Sequence, residues 1–339
     1  MKKKKLLIPL LVILGLTALY VSGPSPAPPS YDNSWPVLDI PVQHLDEYLR
    51  KKEAGLPIKD DNQSRIIWAV PGRKAPTEWA MLYLHGFSAS WFEGAPLHTD
   101  MASQFHMNLY IPRLAHHGLR DQEPLFHLTA ESLYMSALEA LSLTHKLGRK
   151  VIVMGTSTGA TLGIMLAARF PDKVHALMLY SPNIRINDPF AWVLARPWGL
   201  QVARLVKGGL YNDSGDRDPV VKRYWYTRYR LEGAVALQVL LESAMTDDTF
   251  KRVTCPVFMG YYYRDEENQD PVVKVSSMLE MFEKLGTPPR YKLKIAFPGA
   301  GVHVIACAYR SKAYRKVADS SGAFLANLLS GRKSLAPGK

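Results

Sequence analysis

The sequence predicts an α/β fold, a mostly parallel sheet flanked by helices and broken once by a helical insertion. Seven short apolar runs point to strands: Ile66–Val70, Ala80–Leu84, Leu109–Ile111, Val151–Met154, Ala176–Tyr180, Val257–Tyr262 and Leu293–Ala296. Helix-period segments at Ser132–Lys146, Gly159–Phe170, Ser276–Leu285 and Tyr314–Leu329 alternate with several of them. Continuous apolar runs suit strands buried on both faces, and parallel neighbours need helical crossovers between them. The alternation lapses between Pro182 and about Val253, a stretch of roughly 70 residues that is far longer than a direct connection.

Taken in order, the chain begins with an address. Lys2–Lys5 precede an apolar stretch, Leu6–Gly23, in the manner of a secretory signal or signal-anchor. At 1.5 Å per residue those 18 residues reach about 27 Å, just short of a hydrocarbon core of ~30 Å. The small residues at which cleavage would occur, Gly23, Ser25 and Ala27, are each followed by proline. An X-Pro bond is a poor cleavage site, which favours an uncleaved membrane anchor over a released, secreted form. With the lysines on the cytoplasmic side, the rest of the chain would face the periplasm or exterior. Residues 24–36, rich in proline, read as a stiff spacer.

The body is expected to comprise residues 37–182 and 254–330, with the insertion at 183–253 and a basic tail at 331–339. His44–Ala54 reads as a short amphipathic helix ended by Gly55 and Pro57. The 339 residues are 47% hydrophobic and 21% charged, which excludes a disordered chain. Net charge is +12, but Lys2–Lys5 supply four of these charges and residues 310–339 six, leaving a body too nearly neutral for a nucleic-acid surface. The two cysteines, Cys255 and Cys307, make no disulfide framework and read as buried free thiols.

Chemistry first appears at Gly155-Thr-Ser157-Thr-Gly159, which joins the apolar run Val151–Met154 to a small-residue helix. A strained nucleophile elbow needs an abrupt strand end, a serine in the turn and glycines two residues to either side where side chains would collide. The dipole of the following helix favours negative charge at Ser157. Upstream, Ala80–Leu84 runs into His85-Gly86-Phe87, a loop of the kind that supplies an oxyanion donor. The Phe87 and Thr158 amides are the expected pair, with His85 ordering the loop and taking no proton.

These motifs, HGF after a strand, GTSTG at a strand–helix turn and Gly-x-His near the carboxyl end, resemble the α/β-hydrolase family. The sequence is similar in particular to the branch of monoglyceride lipases, carboxylesterases and serine aminopeptidases, over about Ile66–Leu329. The resemblance implies an eight-stranded sheet, a cap inserted after strand six, and the catalytic order serine, acid, histidine. It assigns the histidine to His303, in the loop after the last strand, where a general base could reach Ser157. His98, His106, His116, His117, His127, His145 and His175 lack metal-ligand spacing, and neither a metal nor a cofactor is expected. For the acid, counting from Pro256 selects Asp265, whereas the family's Val-Val pair after the acid matches Asp270-Pro271-Val272-Val273. Asp270 is preferred because the downstream anchor fixes the backbone, with Asp265 the alternative; Asp270 could otherwise be a helix N-cap.

The insertion carries Lys222-Arg-Tyr224-Trp225-Tyr226-Thr-Arg228-Tyr229-Arg230. Its aromatics are expected over the active site, where they could line an acyl pocket, and its arginines in water or against anionic lipid heads. The expected function is serine hydrolysis of hydrophobic acyl esters, with monoacylglycerol-like lipids among the candidates and the membrane met through the amino terminus. The alternatives are a peptidase of the same fold, for which the insertion's Asp213, Asp216 and Asp218 identify no anchor for a substrate amine, and a catalytically idle, membrane-tethered binding protein.

Overall fold

The structure is a computed structural model and describes residues 2–332 and Ser334, with the side chains of residues 2–10 outside the description. Of the basic tail, residues 333 and 335–339 also lie outside it.

A seven-stranded sheet forms the centre, built from β1 (Arg65–Ile67), β2 (Thr77–Leu84), β3 (Asn108–Ile111), β4 (Gly148–Thr156), β5 (Ala176–Tyr180), β8 (Val257–Tyr261) and β9 (Lys292–Ala296). The spatial order is β1-β3-β2-β4-β5-β8-β9. Only β1 pairs antiparallel, with β3; every other pairing is parallel. These are the seven strands read from the apolar runs, so the eighth strand implied by family resemblance is absent among the described residues. The insertion accordingly follows the fifth strand of the sheet and not the sixth. Upstream of β1 the chain offers prolines at 24, 26, 28, 29, 36 and 41, and a proline has no N–H to give to a ladder. Strand β1 is also shorter than expected, ending well before Pro71.

Alternation along the strands sorts the core into two layers. Ala80, Leu82 and Leu84 of β2 and Val151 and Val153 of β4 face α4 (Ala130–Leu147), α5 (Thr158–Arg169) and α10 (Val275–Lys284). Met81, Tyr83, Ile152 and Met154 face the opposite way, toward α3 (Leu97–Gln104) and α11 (Tyr314–Leu329). Helix α4 starts at a reciprocal cap in which the Thr129 side chain accepts from the Ser132 amide and the Ser132 side chain accepts from the Thr129 amide.

Residues 183–253 hold α6 (Gly199–Lys207), α7 (Pro219–Tyr224), α8 (Leu231–Ala244), α9 (Asp247–Arg252) and a two-stranded antiparallel ribbon of β6 (Tyr211–Asp213) with β7 (Arg228–Arg230). Helix α8 fastens them to the body: Ala236, Leu240 and Ala244 are buried in the same cluster as α4 and α5.

The amino terminus forms α1 (Lys2–Val21), followed by α2 (Leu45–Glu53). Among the described residues, no helix is long and apolar enough to cross a membrane. After the four lysines only residues 6–21 of α1 remain, about 24 Å of helix, so the expectation of a membrane-spanning anchor gains no support. Residues 24–41 have no regular structure and lie along the body instead of standing off as a spacer. Tyr31 meets Tyr134 edge-on at 5.1 Å, Trp35 meets Phe170 at 5.4 Å, and the Ser142 hydroxyl donates to the Pro36 carbonyl. Cys255 and Cys307 are both free, Cys307 buried and Cys255 half-buried.

Candidate active site

The site lies at the carboxyl ends of the strands, where an open α/β sheet leaves a crevice. Strand β4 ends at Thr156, α5 begins at Thr158, and Ser157 between them has φ 54° and ψ −119°. Such a backbone is strained for any residue with a Cβ, by about 1–3 kcal/mol. Main-chain bonds hold it there: the Ser157 amide donates to the Tyr180 carbonyl, and the Ser157 carbonyl accepts from the amides of Ala160, Thr161 and Asn183.

The flanking glycines are required by contact. A Cβ on Gly159 would stand 1.9 Å from the Leu84 carbonyl oxygen, and one on Gly155 would stand 2.5 Å from the Gly159 carbonyl carbon. Helix and strands meet too closely for either. The Thr158 amide opens α5 and belongs to the first turn, whose N–H groups lack partners within the helix.

Strand β2 delivers His85, Gly86 and Phe87 beside Ser157. His85 is fully buried; its Nδ1 lies 2.9 Å from the Gly86 carbonyl and its Nε2 accepts from the Leu114 amide at 3.2 Å. Burial pulls its pKa down to about 4, so the ring is neutral at ordinary pH. His117, also buried and neutral, accepts the Ser88 amide on Nε2 at 3.0 Å. A Cβ on Gly86 would press on the Glu93 carboxylate and come within 3.0 Å of the Ser157 Cβ.

Two loops complete the arrangement. Asp270, with no exposed surface, uses one carboxylate oxygen to accept the amides of Val272 and Val273 and the other to meet His303 Nδ1 at 2.7 Å. Helix α10 starts only at Val275, so Asp270 caps a tight turn and not that helix. Asp265 is not brought to the histidine. Its carboxylate accepts the amides of Glu267 and Asn268 and closes an exposed turn.

Burial alone would lower the His303 pKa, but the charges of Asp270 and Glu93 outweigh it and the pKa is raised above 6.5. Burial would raise that of Asp270, but His303 and the two amides outweigh it and hold the pKa below the usual carboxylate value. The His303 Nε2 is buried and without a hydrogen-bond partner among the described residues, and Ser157 and His303 line one cavity.

That cavity has a volume of about 640 Å³. Its walls come mostly from the insertion, including Phe190, Val193, Leu194, Val202, Ala203 and Leu237, with Tyr229 and Trp225 beside them. Asp216 and Asp218 point elsewhere, to Arg310 and Tyr309. Sequence reasoning missed Glu93, which also lines the cavity. It lies in the 3-10 turn Trp91–Gly94, is 2% exposed, and accepts the Gly86 amide. Burial pushes its pKa up to about 7. A lone glutamate a few residues past a loop carries no sequence signal of burial; only the neighbours it meets reveal it.

A family model described as "Alpha/beta hydrolase family" matches residues 81–319. No curated protein matches the sequence. Among solved structures, one from work on LipS and LipT, two metagenome-derived lipolytic enzymes, is similar with a TM-score of 0.63 at 16% identity, over 80% of this chain and 99% of that one. Monoacylglycerol lipase of Paleococcus ferrophilus is similar with a TM-score of 0.56 at 17% identity, over 77% and 97%. Mouse alpha/beta hydrolase domain-containing protein 10 gives 0.51 at 17%, over 78% and 94%. At such identities the likeness is one of fold.

Proposed function

The chain belongs to the alpha/beta hydrolase family, and from that premise we propose that it is a serine hydrolase of carboxylic esters with a hydrophobic acyl group. The observation that carries this reading is the strained Ser157 on the same cavity as a His303 whose Nδ1 is bound to buried Asp270 and whose Nε2 is free.

In this mechanism His303 Nε2 takes the Ser157 hydroxyl proton as the serine oxygen attacks the ester carbonyl carbon. The carbonyl oxygen becomes an oxyanion, met by the amides of Phe87 and Thr158. Collapse expels the alcohol, which takes the proton from the imidazolium, and leaves an acyl-serine. A water molecule, deprotonated by His303, attacks that acyl group, and the second collapse returns the proton to Ser157 and frees the acid. Asp270 keeps Nδ1 protonated and balances the imidazolium charge.

The apolar walls support an acyl chain as the recognised part, with monoacylglycerol-like lipids among the candidates. A peptidase would need an acid for the substrate amine; Asp213, Asp216 and Asp218 are engaged outside the cavity, and of the acids that line it Asp188 accepts the Phe190 amide and Glu93 the Gly86 amide. In the same reading residues 1–23 are a secretory address that puts the body on the outer side of the membrane; fractionation of the full chain distinguishes retention from release.

The decisive experiment is labelling with a fluorophosphonate, followed by a panel of p-nitrophenyl esters and aminoacyl amides. We expect one adduct, on Ser157, lost in Ser157→Ala together with ester turnover. A folded wild-type protein that takes no label and cleaves no ester would overturn the reading and favour a tethered binding protein.

A further inference from the structure

The loop that carries Phe87 is fastened by three side chains, and two of them keep one charge state around neutral pH. His85 and His117 are buried, neutral rings bonded to the main chain of Gly86, Leu114 and Ser88. The third is Glu93. We propose that Glu93 is a positioning residue with two actions: its carboxylate clamps the Gly86 amide and so fixes the Phe87 amide toward the cavity, and its negative charge joins that of Asp270 in stabilising the His303 imidazolium. This rests on the reading of Ser157 and His303 as nucleophile and base.

The packing supports the first action. A Cβ on Gly86 would lie 2.8 and 3.0 Å from the two Glu93 carboxylate oxygens and 3.0 Å from the Ser157 Cβ. The carboxylate, the loop backbone and the nucleophile therefore form one contact cluster in which the loop cannot shift without moving Glu93. Turn geometry fixes the other side, since the Glu93 amide donates to the Ser90 carbonyl and Gly94 lies against the Tyr83 ring, with no room there for a side chain.

The second action follows from position, since Glu93 and His303 line the same cavity beside Ser157, and from the groups that face Glu93. These are the Gly86 amide from the loop, the Trp225 side chain from the insertion, His303 from the loop after β9, Cys307 just beyond it, and Tyr83 from β2. Among these, His303 alone can become a cation near neutral pH, because Trp225 is neutral and burial keeps Tyr83 and Cys307 protonated. A charge placed there at low dielectric acts strongly on the imidazole. Two carboxylates thus serve one histidine, Asp270 through Nδ1 and Glu93 across the floor of the cavity. Because burial brings Glu93 itself to about 7, its help should grow as pH rises through neutrality.

The test compares Glu93→Gln, which keeps an acceptor for the Gly86 amide but loses the charge, with Glu93→Ala, which loses both, and Glu93→Asp, which keeps the charge. In the ligand-free protein, NMR titration of the His303 ring should give a lower pKa in Glu93→Gln and a value near wild type in Glu93→Asp. On a p-nitrophenyl ester, Glu93→Gln should lose about tenfold in kcat with KM within about twofold, and its pH profile should lack the ionisation near 7; Glu93→Ala should lose about a hundredfold. An unshifted His303 titration in Glu93→Gln, or kcat unchanged in folded Glu93→Ala, would overturn the proposal. The NMR readout needs no turnover, so a shift in a protein that cleaves no ester would uphold Glu93 and sink the hydrolase reading instead.

Discussion

In the proposed mechanism His303 sets the pH dependence of the site. Asp270 and Glu93 hold its pKa above 6.5, and only the neutral ring can accept a proton, so kcat/KM should fall as pH drops through a value above 6.5. Asp270→Asn removes the partner of Nδ1 and should lower kcat by roughly 10³–10⁴-fold while moving the acid limb to lower pH. Asp265→Asn, in an exposed turn, should leave kcat within about twofold; pH-rate profiles of both variants check this. Glu93 makes a separate prediction about stability. Its pKa is about 7 when folded and about 4.5 when unfolded, so the folded state binds the extra proton between these values. Stability then falls by roughly 3 kcal/mol as pH rises from 4.5 to 7. Glu93→Gln, uncharged throughout, should melt above wild type at pH 8 and close to it at pH 4, as thermal melts at the two values would record. The GTSTG and HGF motifs were legible because close approach and strain admit few residue types. Glu93 was not, because burial is a property of its neighbours.

At the scale of elements, the turn between β4 and α5 makes the site, and its glycines are where it should break. A methyl group on Gly159 would meet Leu84 and His85 main-chain atoms, at 1.9 to 2.7 Å, and no side-chain rotation can relieve a backbone contact. Gly159→Ala should therefore destabilise by more than about 3 kcal/mol or prevent folding, measured by urea denaturation against Gly322→Ala. In the latter the new Cβ meets only Gln104 at 3.5 Å or more, and the change should be small. Strands and helices of the body were readable from periodicity: α11 runs from Tyr314 to Leu329, and α5 is within one residue at each end. Short elements were read less fully: α3, with eight residues, was not expected as a helix, and β1, with three, was expected to run on to Val70, since so few residues give a period little room to declare itself.

At the scale of the whole molecule, specificity should reside in the insertion, whose side chains wall the cavity above Ser157. Ala203→Trp fills part of that space. It should lower kcat/KM for p-nitrophenyl decanoate at least about tenfold relative to the acetate, with Ser157 labelling by a small fluorophosphonate retained; equal losses on both esters would mean that the acyl chain lies elsewhere. The sequence by itself determined the fold class, the seven strands and the serine turn, since each depends on short-range rules of period, chain strain and backbone clearance, while the histidine loop was reached through the resemblance to a family. It preferred Asp270 but kept Asp265, five residues away on the same loop, as the alternative acid, and read residues 24–36 as a stiff spacer. Only the tertiary structure brought Asp270 to His303, laid Tyr31 and Trp35 along α4 and α5, and buried Glu93 beneath the loop that follows β2. The first three of those contacts join residues 33 to 135 positions apart, and no local pattern encodes which side chains will share a desolvated space.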